Sequence, residues 1–521
     1  MYEYNLAIRF ERVAAEYPRE TAVWLSKDAA ISYSELNKLA NQMARLLSER
    51  GVRTGDVICL SGTKTIPTFA LILACLKLGA VYSVLDPDSP TERLRKILST
   101  CGPRLVIWEP GFQEQFRALD FPVVEKDSDS IAALIDGYDD GNLTESQLIN
   151  GSNPAYIMFT SGSTGFPKGA VMTHANVLNL MEWAKETFDI IPDDILTNVN
   201  PLYFDNSVFD LYAALFNGAR LVPFTKAETK DPKLLVEKID AAKCTLWFSV
   251  PSLLIFLQTM RATDGKHLKT IRRFIFGGEG YPKAKLKNLY DAYPDAQLFN
   301  VYGPTECTCI CSCHELVSDD FSDLQGLPRL GRIAQNFSFL ILDEHGSKVP
   351  DGETGELCLL GPNVGKGYYN DPERTAASFV QNPDNEHFRG VMYKTGDLVR
   401  LDSYGDLHIQ GRKDNQIKHM GYRIELEEVE AALHCLSYVS EAAVLHTSVN
   451  GLSRIVAIVS AREELDSERI RLDLNQIIPD YMVPSVFHRE DVLPKNPNGK
   501  VDRRLLAEKY LQPEAAKGSV N

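Results

Sequence analysis

The stretch with the clearest chemical potential is TSGSTGFPKG, residues 160–169, which combines glycines, hydroxyls and one lysine. It directly follows the apolar run 155–159, which is typical of a buried strand. Glycines let backbone N–H groups turn toward an anion with no Cβ in the way, while hydroxyls and a lysine add donors and positive charge. The stretch therefore predicts a polyphosphate-binding loop. The residues expected to bind are Thr160, Ser161, Gly162, Ser163, Thr164 and Lys168.

This loop differs from the most familiar phosphate loop, because the chain contains no G-x-x-x-x-G-K-[ST] sequence. The plainer alternative is a surface loop that happens to be rich in serine and glycine. The strand before the loop and the Pro-Lys-Gly sequence that closes it favour the anion-binding interpretation.

Alternating cysteines form a second group with possible chemistry: Cys307, Cys309, Cys311 and Cys313 precede His314. On a strand, alternation would place all four on one face, which does not wrap well around a tetrahedral metal ion. We interpret them as small buried hydrophobic side chains on a strand.

The elements that position these residues alternate along the first four hundred residues. Short apolar runs such as 57–60, 105–108, 246–248 and 274–276 are typical of buried strands, and amphipathic segments separate them. This pattern predicts an α/β fold, with a large N-terminal domain of mixed, largely parallel sheets and helices. After Gly411 a compact mixture of helix and strand patterns predicts a small α+β C-terminal domain joined by a hinge.

We predict three regions: an N-terminal core at 1–413, a small mobile domain at 414–511 and a disordered tail at 512–521. The net charge of -15 argues against nonspecific nucleic-acid binding. The apolar run 68–85 is interrupted by Lys77 and Gly79, so we expect a buried helix and a strand rather than a membrane span. With ten cysteines, no small disulfide framework and no leader pattern, we predict a cytoplasmic protein with reduced thiols.

The loop also belongs to a series of blocks that resemble the adenylate-forming superfamily. That superfamily includes nonribosomal peptide synthetase adenylation domains, D-alanine–carrier protein ligases and acyl-CoA synthetases. Several blocks in the correct order are far more specific than any one of them. Besides the loop they are ISYSEL (31–36), LKLGAVYSVLDPDSP (76–90), FDNSVFD (204–210), NVYGPTE (300–306), GELCLLGPNVGKGYYNDPERT (355–375), YKTGDLVR (393–400), GRKDNQIK (411–418) and NPNGKVDR (496–503).

The resemblance implies ATP and Mg²⁺ as cofactors, because activating a carboxylate means attack on the α-phosphate of ATP with loss of pyrophosphate. It places Tyr302 against adenine and Asn300 at the amino edge of the base. Thr305 would contact phosphate, and Glu306 would hold Mg²⁺, which prefers oxygen ligands. The remaining nucleotide positions that it implies are Gly278, Glu279, Gly303 and the ribose contacts Asp397 and Arg412.

The resemblance also assigns roles in the reaction cycle to three residues of the small C-terminal domain. Lys500, in a Pro-Asn-Gly-Lys turn, would bridge the substrate carboxylate and the α-phosphate where negative charge develops. Asp414 resembles the hinge about which the small domain turns after adenylation. That turn would bring Gly421 beside the tunnel for a phosphopantetheine thiol.

Asp205 carries the main clue to the substrate. In amino-acid-activating members the corresponding Asp pairs with the substrate ammonium, and a buried carboxylate needs such a cation. A structural Asp bonded to backbone is the alternative. The pocket walls implied by the same blocks are Asn206, Phe209, Ser249, Phe274, Phe276, Val301, Cys309 and Ile310.

Three phenylalanines in one pocket occupy much volume and predict a small side chain, with glycine, alanine, serine and D-alanine all possible. The phenylalanines could instead turn outward into the core and leave a larger pocket. D-Alanine–carrier protein ligases have a cysteine where this chain has Gly277, which leaves the chirality of the substrate open.

We therefore predict a ligase that activates a small amino acid as aminoacyl-AMP and transfers it to the phosphopantetheine thiol of a separate carrier protein. Neither a nucleic acid nor a membrane is expected as a partner. Two alternatives stay open at this point: an acid–CoA ligase, and a noncatalytic nucleotide-binding sensor with the same fold. The charged residues Lys168, Glu306, Asp397 and Lys500 together disfavour the sensor.

Overall fold

The computed structural model describes residues 3–108, 122–125, 128–162, 166–449, 452–461, 466–495 and 501–511. Predictions for Ser163, Thr164, Lys500 and the tail 512–521 lie outside the described residues. The chain separates into two compact units. The first consists of Met1–Pro87, Ile97–Phe159 and Lys168–Lys413, and the second of Asp88–Lys96, Thr160–Pro167 and Asp414–Asn521.

The α-helices of the described ranges are numbered in chain order. They are α1 Leu6–Glu16, α2 Tyr33–Glu49, α3 Ile66–Leu78, α4 Thr91–Cys101, α5 Ser128–Ile135, α6 His174–Thr187, α7 Asn206–Leu215, α8 Lys226–Lys230, α9 Pro232–Ala242, α10 Pro251–Thr259, α11 Lys283–Ala292, α12 Pro372–Ser378, α13 Leu426–His434, α14 Ser467–Leu474 and α15 Arg503–Tyr510.

The strands are numbered in the same way. They are β1 Thr21–Ser26, β2 Ala29–Ser32, β3 Val57–Ser61, β4 Val81–Leu85, β5 Leu105–Trp108, β6 Val123–Glu125, β7 Pro154–Thr160, β8 Lys168–Thr173, β9 Ile195–Asn198, β10 Arg220–Pro223, β11 Leu246–Ser249, β12 Arg273–Gly277, β13 Gln297–Tyr302, β14 Ser312–Glu315, β15 Arg332–Ile333, β16 Ser338–Leu342, β17 Thr354–Leu360, β18 Phe379–Gln381, β19 Val391–Leu401, β20 Leu407–Arg412, β21 Gln416–His419, β22 Tyr422–Glu425, β23 Val439–Val449, β24 Leu452–Ala461 and β25 Val486–Arg489.

The first unit is built on three sheets. One has the order β15-β14-β13-β12-β11-β9-β10-β1-β2 and is parallel from β13 to β1. Another has the order β6-β5-β3-β4-β7-β8 and is parallel from β6 to β7. The third, antiparallel sheet has the order β16-β17-β19-β18, with β20 also paired to β19. The predicted α/β class is confirmed.

Local sequence signals explain several helix boundaries. At the start of α2 the Ser32 hydroxyl accepts from the Glu35 N–H, and the Glu35 carboxylate accepts from the Ser32 N–H, which is a capping box. Helix α3 is followed by Gly79 in the left-handed region, at φ 68°, and then by β4, as the interrupted apolar run predicted. Among the helices of the described residues, none has the length and apolar character needed to span a membrane.

The first unit has two large apolar cores, and the side chains of its strands divide between them. The larger core collects residues from all three sheets, including Leu60, Phe248 and Leu357. The other contains Trp247 and Phe274 with the buried faces of α9, α10 and α11. Because neighbouring residues of a strand point to opposite faces, Trp247 and Phe248 enter different cores.

The second unit contains the hairpin β21–β22 and the three-stranded sheet β23-β24-β25. Strands β23 and β24 are antiparallel, and β25 runs parallel to β24. Val429 and Leu433 of α13 and Leu474 of α14 are buried in an apolar cluster with Val444 of β23. The residues that we predicted to form a small α+β domain therefore fold around a core of their own.

The alternating cysteines depart from the sequence prediction. A strand begins only at Ser312, while Thr305–Cys307 is a short 3₁₀ turn. Thr308 and Cys309 adopt φ values of 62° and 71°, in the left-handed region, which a strand does not allow. Cys307, Cys309 and Cys311 are nevertheless buried, as expected of small hydrophobic side chains. Within the described ranges, no group of three or more His, Cys, Asp or Glu side chains is arranged to hold a metal ion.

Candidate active site

At one end of the candidate site, Asp397 is held between a phenol and a guanidinium. Tyr302, the last residue of β13, donates its hydroxyl to Asp397 Oδ2 at 2.5 Å. Arg412 donates Nη1–H to Asp397 Oδ1 at 2.5 Å, and the two residues are register partners on β19 and β20. Burial raises the pKa of Tyr302 well above its usual range, and the Asp397 charge adds to the rise. The structure thus brings together three predicted nucleotide-site residues.

A carboxylate can accept hydrogen bonds from two neighbouring hydroxyls because it has two oxygens with several lone pairs. Asp397 is buried and already accepts from a phenol and a guanidinium, so its charge is stabilised where it lies. This geometry supports the role in ribose binding that the resemblance implies, and that role remains a prediction.

A second carboxylate, Glu306, is fully buried and has two described neighbours of suitable chemistry. Tyr368 donates its hydroxyl to Glu306 Oε1 at 2.7 Å, and Lys168 Nζ lies 3.6 Å from the same oxygen. The Lys168 ammonium also lies over the Tyr368 ring, 5.3 Å from its centroid. The sequence analysis missed Tyr368, whose only signal is its place in the block at 355–375.

The donor set at Glu306 is compatible with Mg²⁺. This ion keeps several waters and takes one or two carboxylates together with substrate phosphates, rather than a cage of protein ligands. One buried carboxylate with Lys168 nearby meets that requirement, because the phosphates of a nucleotide would bring the remaining oxygens.

Asp205 immediately precedes α7, and its Oδ2 accepts a hydrogen bond of 2.6 Å from the Thr305 hydroxyl. The helix that follows is anchored by Asp210, which accepts from the side-chain amides of Asn198 and Asn200 at 2.9 and 3.0 Å. Burial raises the pKa of Asp210, and burial lowers the pKa of Lys64, which donates to the Asn198 carbonyl. Asp210 and Lys64 were absent from the predicted site, although Asp210 ends the block at 204–210.

Close backbone approach explains two glycines beside these residues. A Cβ at Gly303 would lie 2.3 Å from the Cys309 carbonyl oxygen. A Cβ at Gly277 would lie 2.4 Å from the Val301 carbonyl oxygen, because the two residues are partners on β12 and β13. No side chain fits at either position without displacing backbone. Val301 and Cys309 are therefore held next to the turn that carries Tyr302.

The other predicted nucleotide positions make local contacts. Asn300 donates its side-chain amide to the Arg329 carbonyl at 2.6 Å. Glu279 accepts from the Ser252 N–H at 2.7 Å. Gly278 has a φ of 88°, and a Cβ there would lie 3.5 Å from the Asn206 amide nitrogen. None of these contacts assigns a nucleotide role, so the three roles remain predictions.

The structure divides the predicted pocket walls between the two cores. Phe209, Val301, Cys309 and Ile310 lie together in the larger core. Phe274 and Phe276 lie in the other core, where Phe274 packs on Tyr293 and Phe276 on Tyr281, with ring centroids 5.0 and 5.1 Å apart.

The Ser249 hydroxyl is hydrogen-bonded to its own chain neighbours. It accepts from Trp247 Nε1 at 2.8 Å and donates to the Val250 carbonyl at 3.0 Å. The structure thus places Phe274 and Phe276 in a different core from Phe209 and Val301. For Phe274 and Phe276 it matches the outward-turned arrangement that the sequence analysis left open.

Phe248 and Ile275 are each one position away from a predicted wall residue, and their side chains lie on the opposite face of the sheet, in the larger core. We call this the inner face. Phe248 packs against Phe209 with ring centroids 4.9 Å apart, and Ile275 lies in the same core. The signal that finds them is the period of two in a strand combined with the pairing of Gly277 with Val301. A shift of one position along a strand exchanges the two faces.

The described part of the phosphate loop belongs to the second unit. The Ser161 hydroxyl donates to the Arg423 carbonyl at 2.7 Å and accepts from the Glu425 N–H at 3.2 Å. The Gly162 N–H donates to Glu428 Oε2 at 3.2 Å. Thr160 Oγ1 is buried and has no hydrogen-bond partner among the described residues.

Two further predicted positions lie near the start of the last segment of the second unit, Asp414–Asn521. Asp414 is the first residue of that segment, and its side chain accepts from the Gln416 N–H at 3.2 Å. Gly421 forms the tip of the β21–β22 hairpin with Met420, and their φ values of 83° and 51° are those of a tight hairpin turn. The roles of Asp414 as a hinge and of Gly421 beside the thiol tunnel remain predictions.

Comparison with known proteins gives a consistent result. A sequence profile described as AMP-binding enzyme matches residues 10–369, and one described as AMP-binding enzyme C-terminal domain matches residues 428–500. Zwittermicin A synthase ZmaJ of Bacillus cereus is 31% identical over 506 residues, which cover 96% of this chain and 94% of that protein. Gramicidin S synthase 2 of Aneurinibacillus migulanus is 33% identical over 516 residues, which cover 97% of this chain and 11% of that protein.

This chain therefore spans about a tenth of the length of gramicidin S synthase 2. Among solved structures, holo-PA1221, described as an NRPS protein containing adenylation and PCP domains and bound to a vinylsulfonamide inhibitor, superposes with a TM-score of 0.83. The two share 25% sequence identity over 97% of this chain and 84% of that one.

Proposed function

Because the chain belongs to the AMP-binding enzyme family, we propose that it activates an amino acid as aminoacyl-AMP and passes the acyl group to a carrier protein. The observation that carries the proposal is the turn at residues 302–306. Its Tyr302 bonds the buried Asp397, its Thr305 bonds Asp205, and its Glu306 lies against Lys168. One short turn thus links the groups suited to ribose, to an ammonium and to a metal.

In the proposed reaction a carboxylate oxygen of the amino acid attacks the α-phosphorus of ATP. The new C–O–P bond forms as the bond to pyrophosphate breaks, and both electrons of that bond leave with pyrophosphate. Asp205 holds the substrate ammonium, and Thr305 orients the Asp205 carboxylate. Mg²⁺ bound at Glu306 would neutralise phosphate charge. Lys500 lies outside the described residues, and its role at the reacting oxygens rests on the resemblance alone.

We further propose that the substrate side chain is small. The inner-face residues Phe209 and Phe248 are buried against each other. A Cβ at Gly277 would clash with the Val301 carbonyl oxygen. Phe209 of α7 lies one helical turn after Asp205, so we propose that this aromatic pair limits the volume beside Asp205 and offers apolar surface. Glycine, alanine of either chirality and serine are the candidates that we would test first.

The carrier step is proposed on the likeness to proteins in which an adenylation domain accompanies a PCP domain. A phosphopantetheine thiol would attack the acyl carbon of the aminoacyl-AMP. A thioester would form as the thiol releases its proton to solvent, and AMP would leave with the electron pair of the broken C–O bond.

The test is amino-acid-dependent exchange of labelled pyrophosphate into ATP. We expect exchange with one or a few small amino acids, followed by loading of a phosphopantetheinylated carrier protein. If the chain instead exchanges with simple carboxylic acids and forms CoA thioesters, it is an acid–CoA ligase. ATP binding without exchange for any acid in the panel would support a nucleotide sensor.

A further inference from the structure

The phosphate loop contains a carboxylate of its own chain at a position where an anion would bind. Glu428 is in the first turn of α13, and its Oε2 accepts the Gly162 N–H at 3.2 Å. Backbone N–H groups of glycine-rich loops bind anions because no side chain shields them. A carboxylate meets that requirement as a phosphate oxygen would.

The same carboxylate is neutralised from its other side. Glu428 Oε1 forms an ion pair with Arg93 of α4. Glu428 and Arg93 are 3% and 7% exposed, so the pair is shielded from water. A buried charge needs a partner, which means that neither residue can lose the other without a replacement. For Arg93, a phosphate oxygen can replace the Glu428 carboxylate as the partner.

The Ser161 hydroxyl, next to this contact, is also hydrogen-bonded to the segment 423–425. Ser161 donates to the Arg423 carbonyl and accepts from the Glu425 N–H, so its described bonds use both roles of the hydroxyl. The segment 423–428 thus binds the described end of the loop at Ser161 and at Gly162. A triphosphate at the loop would meet the negative charge of Glu428 directly.

We propose that Glu428 occupies a phosphate-binding position of the loop, and that Arg93 binds phosphate once Glu428 has released it. When a triphosphate binds, its oxygens take the Gly162 N–H and the Arg93 guanidinium, and Glu428 turns out to water, which solvates its carboxylate in place of Arg93. Arg93 exchanges one anion for another and never loses its counter-charge. This inference rests on the proposed function only in that ATP is the ligand of the loop.

The two members of the pair give opposite expectations, which separates this role from a structural one. Glu428→Gln removes the competing charge, so the Kd for MgATP and for inorganic tripolyphosphate should fall about tenfold, the equivalent of one charge-assisted hydrogen bond. Arg93→Gln removes a phosphate ligand, so the same Kd values should rise about tenfold. Isothermal titration calorimetry measures both ligands.

The chain offers a matched control on the same helix. Glu430 of α13 binds Arg503 with both carboxylate oxygens at 2.7 Å, and its described bonds involve no residue of the loop. Glu430→Gln and Arg503→Gln should lower stability and leave both Kd values unchanged. If Glu428→Gln does not fold, Glu428→Asp keeps the charge beside Arg93 but shortens the reach to Gly162, and it should also tighten binding.

Changes of the same sign in Glu428→Gln and Arg93→Gln, or values equal to those of the control pair, would overturn the proposal. If the wild type exchanges pyrophosphate while the variants behave in that way, only this inference fails. If the wild type binds neither MgATP nor tripolyphosphate, the proposed function fails together with it.

Discussion

Asp205→Asn is the substitution that tests the proposed substrate contact most sharply, because the two side chains have nearly the same shape. The amide oxygen can still accept the hydrogen bond that Thr305 donates to Asp205 at 2.6 Å. Only the negative charge is lost. A hydrogen bond between charged partners contributes about 1.5–3 kcal/mol. At about 1.4 kcal/mol per decade, kcat/KM for the amino acid should fall about 10- to 150-fold.

The assay compares the preferred amino acid with the matching acid that lacks the amino group, in pyrophosphate exchange. The wild type should prefer the amino acid, and the variant should lose that preference because kcat/KM for the desamino acid stays close to the wild-type value. KM for ATP should also stay close to the wild-type value. An equal loss for both acids would mean that Asp205 maintains the local structure and does not bind the ammonium, and our reasoning would be refuted.

Three further substitutions test other parts of the site and fold. Tyr368→Phe removes the hydroxyl bonded to Glu306 but keeps the ring beside Lys168, so kcat for exchange should fall about tenfold. Phe248→Leu opens the inner face, so exchange with larger aliphatic amino acids should rise relative to the preferred one. Burial lowers the pKa of His174 to about 3, so the unfolded chain takes up a proton below about pH 6.5 that the folded chain excludes. Between pH 7 and pH 5, His174→Gln should therefore lose about 2 kcal/mol less in unfolding free energy than the wild type.

Each of these substitutions has its own control. Tyr369, the residue after Tyr368, donates its backbone N–H to the Gly169 carbonyl. Tyr369→Phe should leave kcat unchanged, and a comparable loss there would remove the special role of Tyr368. Phe274→Leu lies in the other core, so it should cost stability without changing substrate preference. An equal change in preference would contradict the assignment of faces. For His174, urea denaturation of variant and wild type should give pH profiles that diverge below pH 6.5, and parallel profiles would contradict the burial argument.

The grouping of Tyr302, Asp397 and Arg412 was within reach of the sequence because these residues lie in compact blocks. Tyr302, Thr305 and Glu306 occupy one turn, and Asp397 follows a glycine on a strand whose alternation is readable. The composition of the loop at 160–169 has a direct physical meaning, and phosphate binding by that loop stays a prediction. Tyr368 was not within reach of the sequence, because only packing brings its hydroxyl to a carboxylate that lies far away in the sequence.

The pocket walls show a different limit. Phe274 and Phe276 are one residue away from Ile275, and a period of two converts that offset into the opposite face of the sheet. Strand pairing resolves the offset, and pairing is a tertiary fact. The contact between Gly162 and Glu428 is likewise tertiary, since the two residues are separated by 266 positions.

The cysteines at 307–311 were predicted to lie on a strand because they alternate with other residues. Left-handed φ values at Thr308 and Cys309 break that pattern. A non-glycine residue in this conformation is uncommon, and no composition signal marks it. The tertiary contacts of the turn, such as the bond from Thr308 to the Asn363 carbonyl, stabilise it instead.

The most direct test of carboxylate activation follows an oxygen atom. The preferred amino acid, labelled with ¹⁸O in its carboxylate, is incubated with ATP, the chain and a phosphopantetheinylated carrier protein, and the released AMP is analysed by mass spectrometry. Attack of the carboxylate on the α-phosphorus predicts AMP that carries one ¹⁸O. Unlabelled AMP, or ADP with inorganic phosphate, would contradict the account.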